Sequence, residues 1–567
     1  MKLLTSILLV LLISLSANAR ARNSGFPLLS NSSYDFAERY ETRERIWLYS
    51  EARPRIKMVF HMRRDSTAEA RFIVDSISAR IAPPVRRLSI EAQRYQIEER
   101  ARERIYGGDI NVMPVEDWRV RFWPPIFDSF YTDRVYFFSD WRNFDELAFG
   151  IQPVYGFEYI DTDDERGSIS RFAGGLRLEA GYKQRLYAMV DFRDYTETGN
   201  GPYETRSSLY EDRWAAIELK GDNSTSYDIS ESLIQYYGTD LAVTAGRGRH
   251  QWGPSYFGGL ILNGYAPPFD YLRFDAAPGR VNYTFLHGVL ESTIPSDTLY
   301  INPDGRPRTI NSQKYISAQR LEIMPGPNAL FGFSQAVIYG DRGVQLGYLT
   351  PMNFLYSVQH SNDDKDNLLL SFDGKWRIKP GLKVYGEFLL DDVIVSDIFG
   401  NSGGGSKNAY TLGVHGIIPK PFWEKFDARF EYTKVRPFVY SHFFGVNKYT
   451  HWTSSLGYTN EPNSEFIHFR LGASFYPLYA AISYERQNHG ANTDEKNVGG
   501  SIDAPNFGDS DSDFVFLDGQ FIRTETITLS GRYEVLPNLN LLFSLSNISQ
   551  SKLDNRTEIH AGFGWNL

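Results

Sequence analysis

The sequence predicts an all-β transmembrane barrel of about 18 antiparallel strands, preceded by a small α-helical segment that lies in the periplasm or plugs the barrel. Three observations support this fold class: an export signal, strict alternation of apolar and polar residues from about residue 149 onward, and an aromatic final segment with the same alternation. We divide the chain into a signal peptide at 1–19, an N-terminal region at 20–145 and the barrel at 146–567.

The export signal occupies the first 19 residues. Lys2 provides a short positive region, an apolar run follows to Leu15, and Ala17-Asn18-Ala19 has the small-x-small form of a cleavage site. The apolar run is shorter than the roughly 20 residues that a membrane-spanning helix requires. The chain contains no cysteine, which excludes cysteine acylation, disulfide bonds and thiolate metal sites.

The alternation has a period of two residues. In 526–535 the odd-numbered residues are apolar or small and the even-numbered residues are polar, and the same split recurs at 186–193, 368–377, 467–475 and 539–546. A wall with lipid on one side and water on the other has this pattern. A secreted β-sandwich would also alternate, but the polar faces here carry charges such as Arg177, Arg429 and Glu431, which suit a wet lumen better than a core.

The final segment has an apolar face formed by Ile559, Ala561, Phe563, Trp565 and Leu567. It resembles the last strand of outer-membrane barrels, which the barrel-assembly machinery recognises, although that strand usually ends in Phe. We therefore expect a monomer in the cell outer membrane, with outer-membrane lipid and the assembly machinery as partners and no nucleic acid. Polar insertions at 361–367, 400–408 and 488–513 are expected to be outer loops, because periplasmic turns are short.

The N-terminal region favours helix at 66–80 and again at 88–105, on either side of Pro83-Pro84. The second stretch is dense in arginine. Three interpretations remain open: a helical pair that rests against or plugs the barrel, a solvated charged helix, and a basic surface that binds anions. We favour the first, because the arginines are interleaved with glutamates at helical-pair spacing, which neutralises a basic patch.

A central motif carries information about function. Gly246-Arg247-Gly248-Arg249-His250-Gln251-Trp252-Gly253-Pro254 follows a predicted strand, and an apolar segment that ends near Asn263 and Pro267-Pro268 comes next. Here the chain resembles the capsule-assembly Wzi family of outer-membrane proteins. Leu349-Thr350-Pro351-Met352-Asn353-Phe354 and the stretch from Tyr385 to Asp392 fit the same resemblance, which covers about a third of the chain. It implies a barrel of about 18 strands that binds surface polysaccharide without catalysis.

The candidate ligand-binding residues come from this motif and from one later strand. Sugar binding needs flat apolar faces and planar or charged hydrogen-bond donors, which Arg247, Arg249, His250 and Trp252 offer. A purely structural role competes, because the glycines permit a bulge and Trp252 suits an aromatic girdle. Arg247 and Arg249 also share the parity of lipid-facing residues, so either a bulge turns both into the lumen or the strand has reached the interface by that point.

The later strand contributes a second group of candidates. Parity assigns its polar side chains to the lumen, where they could fix a plug, line a pore or grip a glycan; they are Lys383, Tyr385, Glu387 and Asp391.

Other function classes find less support. The sequence lacks a GxSxG context and an HExxH motif, and we expect neither an enzyme nor a metal or other cofactor. The alternative to a polysaccharide-binding protein is a porin or diffusion channel, since the same alternation predicts both. A closed lumen would favour the polysaccharide-binding protein, and an open lumen would favour the porin.

Overall fold

The structure is a computed structural model that describes most of the chain from Leu147 to Trp565, together with five short N-terminal stretches at 52–54, 59–64, 70–75, 131–132 and 138–140. Between 147 and 565 the description omits 164–166, 183–185, 200–217, 220–222, 238–240, 277–280, 302–306, 327, 380, 392–406, 418–425, 476–477, 505–514, 537–538 and 552–554.

Within the described residues, 18 strands form a closed antiparallel barrel. They are β1 Leu147–Thr162, β2 Ser168–Tyr182, β3 Leu186–Gly199, β4 Ser224–Tyr237, β5 Leu241–Gly248, β6 Phe269–Ala276, β7 Val281–Ile301, β8 Pro307–Gly326, β9 Ala329–Gly340, β10 Asn367–Lys379, β11 Leu382–Asp391, β12 Asn408–Ile417, β13 Phe426–Val435, β14 Ser464–Phe475, β15 Leu478–Ala491, β16 Gln520–Leu536, β17 Leu539–Gln550 and β18 Arg556–Trp565. Each strand pairs with its neighbours in sequence, and β18 pairs with β1 to close the ring. The predicted strand number is confirmed.

The two ends of the barrel differ in their connections. At one end the strands are joined by short turns, whereas at the other end long segments connect β3 to β4, β5 to β6, β9 to β10, β11 to β12, β13 to β14 and β15 to β16. The long end faces outward, because outer-membrane barrels keep their periplasmic turns short. Of the three polar insertions predicted to be outer loops, 361–367 and the described part of 488–513 fall at this end, while 400–406 and 505–513 lie outside the described residues. No helix in the described part of the chain is both long and apolar enough to cross a membrane.

The outward face of the wall is apolar, as the alternation predicted. Exposed side chains include Val243, Leu412, Phe469 and Ile527, while their neighbours in sequence point inward. Many inward charges are buried in ion pairs: Arg320 bonds Asp373 at 2.5 Å, and Arg273 bonds Asp275 at 2.8 Å. Our expectation that inward charges face water is therefore wrong for these pairs, which satisfy each other away from solvent.

A hydrophobic core lies inside the barrel, beneath the long connections. Side chains of the wall such as Leu286, Ile316 and Leu389 pack there against apolar residues of two connections, at 249–268 and 436–463. We call the first of these, residues 249–268, the lumen plug. The core explains how a barrel of this width can close its own lumen: it removes apolar surface of both the plug and the wall from water.

A different connection covers part of the outer surface. We call residues 341–366 the outer strap; it contains helices α1 (Leu346–Leu349) and α2 (Leu355–Ser361). Leu368 and Leu370 share the parity of exposed Phe372 and Trp376, yet both are buried with Tyr348 and Leu355 of the strap. The prediction that these leucines face away from the lumen is confirmed, but the strap covers them in place of lipid.

The N-terminal region differs from its prediction where it is described. Ala70–Asp75, within the stretch predicted to be helical, is a strand that pairs with Val59–Arg64. Alternating Phe72 and Val74 suit a sheet as well as a helix, and pairing with a second segment decided between them. The predicted helix at 88–105 and the signal peptide lie outside the described residues. Ala52–Pro54 pairs with His250–Trp252, so the N-terminal region reaches the plug as a strand.

Candidate functional site

The lumen plug begins where β5 ends and doubles back inside the barrel. His250–Trp252 pairs with Leu262–Asn263, which makes a tight loop of the Gly-Pro turn and the apolar segment between them. Two glycines permit this turn. Gly253 has a φ of +106°, and a side chain on Gly259 would clash with the Trp252 carbonyl oxygen, 1.7 Å from where its Cβ would lie.

Glu387 of β11 holds the plug to the wall. Its carboxylate accepts hydrogen bonds from the backbone N–H groups of Ser255, at 2.9 Å, and Leu260, at 2.8 Å. The approach is close, because a Cβ on Gly253 would lie 2.3 Å from Glu387 Oε1. One buried wall carboxylate therefore satisfies two backbone donors of the plug that would otherwise be left without a partner.

Glu431 of β13 forms a second attachment beside the first. It accepts hydrogen bonds from the N–H of Tyr256 at 2.9 Å and from the Tyr385 hydroxyl at 2.7 Å. Arg429 donates to the Tyr385 oxygen at 3.2 Å and lies 4.1 Å from the centre of the Tyr256 ring. Tyr385 is thus part of the network that seats the plug.

The connection at 436–463, which we call the cover, closes over the apolar tip of the plug. Tyr440 and Tyr449 donate from their hydroxyls to the carbonyl oxygens of Leu260 and Ile261, each at 2.7 Å. Burial raises the pKa of both tyrosines, so their hydroxyls stay protonated as donors. Asp391 accepts the backbone N–H of Tyr440 at 2.5 Å and so positions this cover.

Asn263 also joins the plug to the cover through side-chain hydrogen bonds. Its side-chain nitrogen donates to the carbonyl oxygens of Ser455 and Gly457, at 2.7 and 2.5 Å. Its side-chain oxygen accepts the N–H groups of Tyr265 and Ala266. The asparagine at the end of the central motif therefore ties plug, cover and turn together, a role that no pattern in the sequence indicated.

The structure places Arg247 and Arg249 on opposite sides of the wall. Arg247 lies on the outward face at the end of β5 and pairs with Asp270 at 3.1 Å, with 43% of its side chain exposed. Arg249 turns inward and pairs with Glu231 at 2.5 Å. The alternative that the strand has reached the interface holds for Arg247. The alternative that a bulge turns both arginines into the lumen is wrong, because only Arg249, beyond the end of β5, faces inward.

His250 and Trp252 are both buried. The His250 ring packs edge-on to Tyr271 at 4.3 Å, and Trp252 belongs to the core inside the barrel. In this state of the protein neither ring offers a face to a ligand.

All four candidates on β11 face the lumen, as their parity predicted. Glu387 binds the plug, Asp391 binds its cover, and Tyr385 bonds Glu431, which itself binds the plug. Lys383 is buried with its ammonium 5.7 Å from the Tyr385 ring centre. Of the three roles considered for this cluster, fixing a plug is the one that their contacts match.

A cleft remains between the plug and the wall at β14 to β17, on the side of β13 that faces away from β11. Its cavity volume is about 70 Å³, it is partly open to solvent, and it lies near the outward ends of β14 to β17. Phe257 and Tyr265 of the plug line it together with Tyr458 and Phe466. The sequence reasoning missed this site, because its members come from segments that only the closed barrel brings together.

No group of three or more acidic, histidine or cysteine side chains in the described residues could hold a metal ion.

These features define a class: an outer-membrane β-barrel whose lumen is filled by one of its own outward connections. The chain belongs to the capsule assembly protein Wzi family, whose model matches residues 155–476, more than half of the sequence. Its place in the cell is accordingly the outer membrane. No curated protein matches the sequence.

Several solved structures are similar to this one at low sequence identity. One is Wzi of Escherichia coli, described as an outer-membrane protein involved in group 1 capsule assembly and a carbohydrate-binding β-barrel: identity is 12%, the match covers 73% of this chain and 84% of that chain, and the TM-score is 0.47. Pseudomonas aeruginosa OccK9 matches at 11% identity, 74% and 98% coverage and a TM-score of 0.43. Acinetobacter baumannii OccAB4 matches at 10% identity, 74% and 97% coverage and a TM-score of 0.40.

Proposed function

We propose that this protein retains capsular or exopolysaccharide on the outer surface of the cell, as a lectin-like protein without catalytic activity. The observation that carries the proposal is the lumen plug, which Glu387 and Glu431 hold inside the barrel through backbone hydrogen bonds. A diffusion channel needs an open path, whereas here a packed core lies between the plug and the wall. Membership of a capsule-assembly family agrees with a task at the cell surface.

The first test is electrical. The purified, refolded protein should give no large conductance steps in a planar bilayer, with or without the cell's own exopolysaccharide. Cells that lack the protein should release more polysaccharide into the medium than cells that carry it. Large open steps from the unmodified protein, or equal release from both kinds of cell, would favour the diffusion-channel alternative.

The substitution Gly253→Ala tests whether the plug is what closes the lumen. The added methyl would lie 2.3 Å from Glu387 Oε1, and alanine rarely adopts a φ of +106°, so the turn loses about 1 to 3 kcal/mol. We expect brief open events in bilayers that the unmodified protein does not show.

Gly326→Ala is the matched control for this substitution. A Cβ at this position meets nothing within 4 Å, so the lumen should stay closed. If both alanine variants remain equally silent, the Gly253–Glu387 contact does not control closure.

A further inference from the structure

The cleft between plug and wall combines aromatic surface with free polar groups. Phe257 and Tyr265 are half-buried, in contrast to the apolar tip of the plug, which is fully buried. The Phe257 ring packs edge-on to Phe466 at 5.3 Å, which fixes its orientation. Rigid aromatic faces of this kind suit the apolar C–H surface of a sugar ring.

Polar side chains face the same space without using their hydrogen-bonding capacity. Asn460 of the cover, Gln487 of β15 and Gln550 of β17 all line the cleft. Their side-chain amides form no hydrogen bond with any residue in the described part of the chain. Each amide can both donate and accept, which is what the hydroxyls of a sugar require.

The charge of the lining indicates the kind of sugar. Glu485 is the one ionisable acid or base among the described lining residues apart from the tyrosines, and its carboxylate lies 3.3 Å from the His468 ring. No lysine or arginine of the described chain lines the cleft. The carboxylate of an anionic sugar would have no lysine or arginine of the described chain to pair with here, so its burial would cost free energy. An uncharged sugar ring does not have this cost.

We propose that this cleft binds one uncharged pyranose unit of the surface polysaccharide, with the ring against Phe257 and Tyr265 and its hydroxyls on Asn460, Gln487 and Gln550. The inference rests on the proposed function for its ligand, but it assigns the site and the class of sugar independently of the motif residues Arg247 and Arg249. The plug then both closes the lumen and contributes to sugar binding, since two of its aromatic side chains form one side of the cleft.

The test uses the full-length protein in detergent and two kinds of probe. Saturation-transfer NMR measures contact with methyl α-glucopyranoside, N-acetylglucosamine and glucuronate, and co-sedimentation measures binding of the cell's own polysaccharide. We expect contact with at least one of the two uncharged sugars and much weaker contact with glucuronate. The double substitution Gln487→Leu with Gln550→Leu should weaken binding of both probes about tenfold, because it removes two hydrogen-bonding groups at nearly constant volume.

Asn540→Leu provides the matched control. This residue lies on β17 with Gln550, at the opposite end of the strand and outside the cleft, so binding should be unchanged. Migration of the unheated proteins in SDS gels checks that all variants form the closed barrel.

The outcomes separate the two proposals. Polysaccharide binding that the double variant leaves unchanged would overturn the cleft assignment while the proposed function stands. Binding of uncharged sugars that the double variant abolishes, without any binding of polysaccharide, would support the cleft and overturn retention of the polysaccharide. Contact with glucuronate as strong as that with the uncharged sugars would overturn the assigned sugar class.

Discussion

At the residue scale, Arg247 and Arg249 show how two identical side chains acquire different roles. They are two positions apart, and on an undisturbed strand both would face the lipid. Arg247 keeps that face, but it lies at the rim, where its pair with Asp270 remains exposed. Arg249 lies past the end of β5 and reaches Glu231 on the inward side. Both arginines are tolerated because β5 ends between them: Arg247 lies at the exposed rim, and Arg249 lies past the wall and faces inward.

The two arginines should differ in their effect on stability. Arg249→Ala leaves the largely buried Glu231 carboxylate without its partner and should lower the free energy of unfolding by about 2 kcal/mol. Arg247→Ala removes an exposed ion pair and should cost less than about 1 kcal/mol. Urea titration of the refolded barrels measures both values. Equal losses would contradict the assignment of the two side chains to opposite faces.

At the element scale, the outer strap is a connection that folds against the outside of the wall. Polar side chains face outward beneath it: Ser317 donates to the Tyr348 carbonyl oxygen at 2.7 Å, and Gln335 bonds the backbone of the strap twice. Such side chains would be costly against lipid. The strap covers these side chains and supplies their hydrogen-bond partners, which explains why the outward face of the wall can be polar here.

Gln335→Leu should release the strap. The substitution leaves the Asn353 carbonyl and the Leu355 N–H without a partner, so protease cleavage within 341–366 should become several-fold faster. Gln313→Leu serves as control, because Gln313 is exposed on the neighbouring strand and its amide bonds only Tyr315 among the described residues. Cleavage of both variants at the unmodified rate would show that other contacts hold the strap.

At the scale of the whole molecule, the barrel has lipid outside and a packed interior within its outward half. The seam between β18 and β1 completes it, with Phe563 opposite Phe157 and Trp565 opposite Tyr155 in register. The aromatic final segment thus has a structural task in closing the ring. Recognition of that segment by the assembly machinery, and the monomeric state, stay predictions.

A charge on the outer wall should cost most at mid-depth. Leu412 lies at the centre of β12 with 58% of its surface exposed, so Leu412→Arg should lower the free energy of unfolding in lipid vesicles by about 2 to 4 kcal/mol. Ile301→Arg, at the outward end of β7, should cost about 0 to 1 kcal/mol. Similar costs at the two positions would contradict the depth assigned to them.

The sequence alone determined the fold class, the strand number and the facing of most strand residues. A strand between lipid and the barrel interior must alternate apolar and polar residues, and bacterial barrels of this kind close with an even number of strands. These properties can therefore be deduced from short stretches of sequence. It also placed Lys383, Tyr385, Glu387 and Asp391 on the inward face. Glu387 and its neighbours could be assigned to the lumen from parity alone, without knowledge of what they touch.

Only the tertiary structure decided what fills the lumen. Alternation says which side a residue faces, but it does not say that the connection after β5 folds inward, or that Glu387 meets Ser255, 132 positions away in the chain. The same limit applies to the cleft, whose lining combines plug, cover and four strands. Contacts of this kind form only when the ring closes and brings together segments that are far apart in the chain. A local sequence pattern carries no information about such contacts.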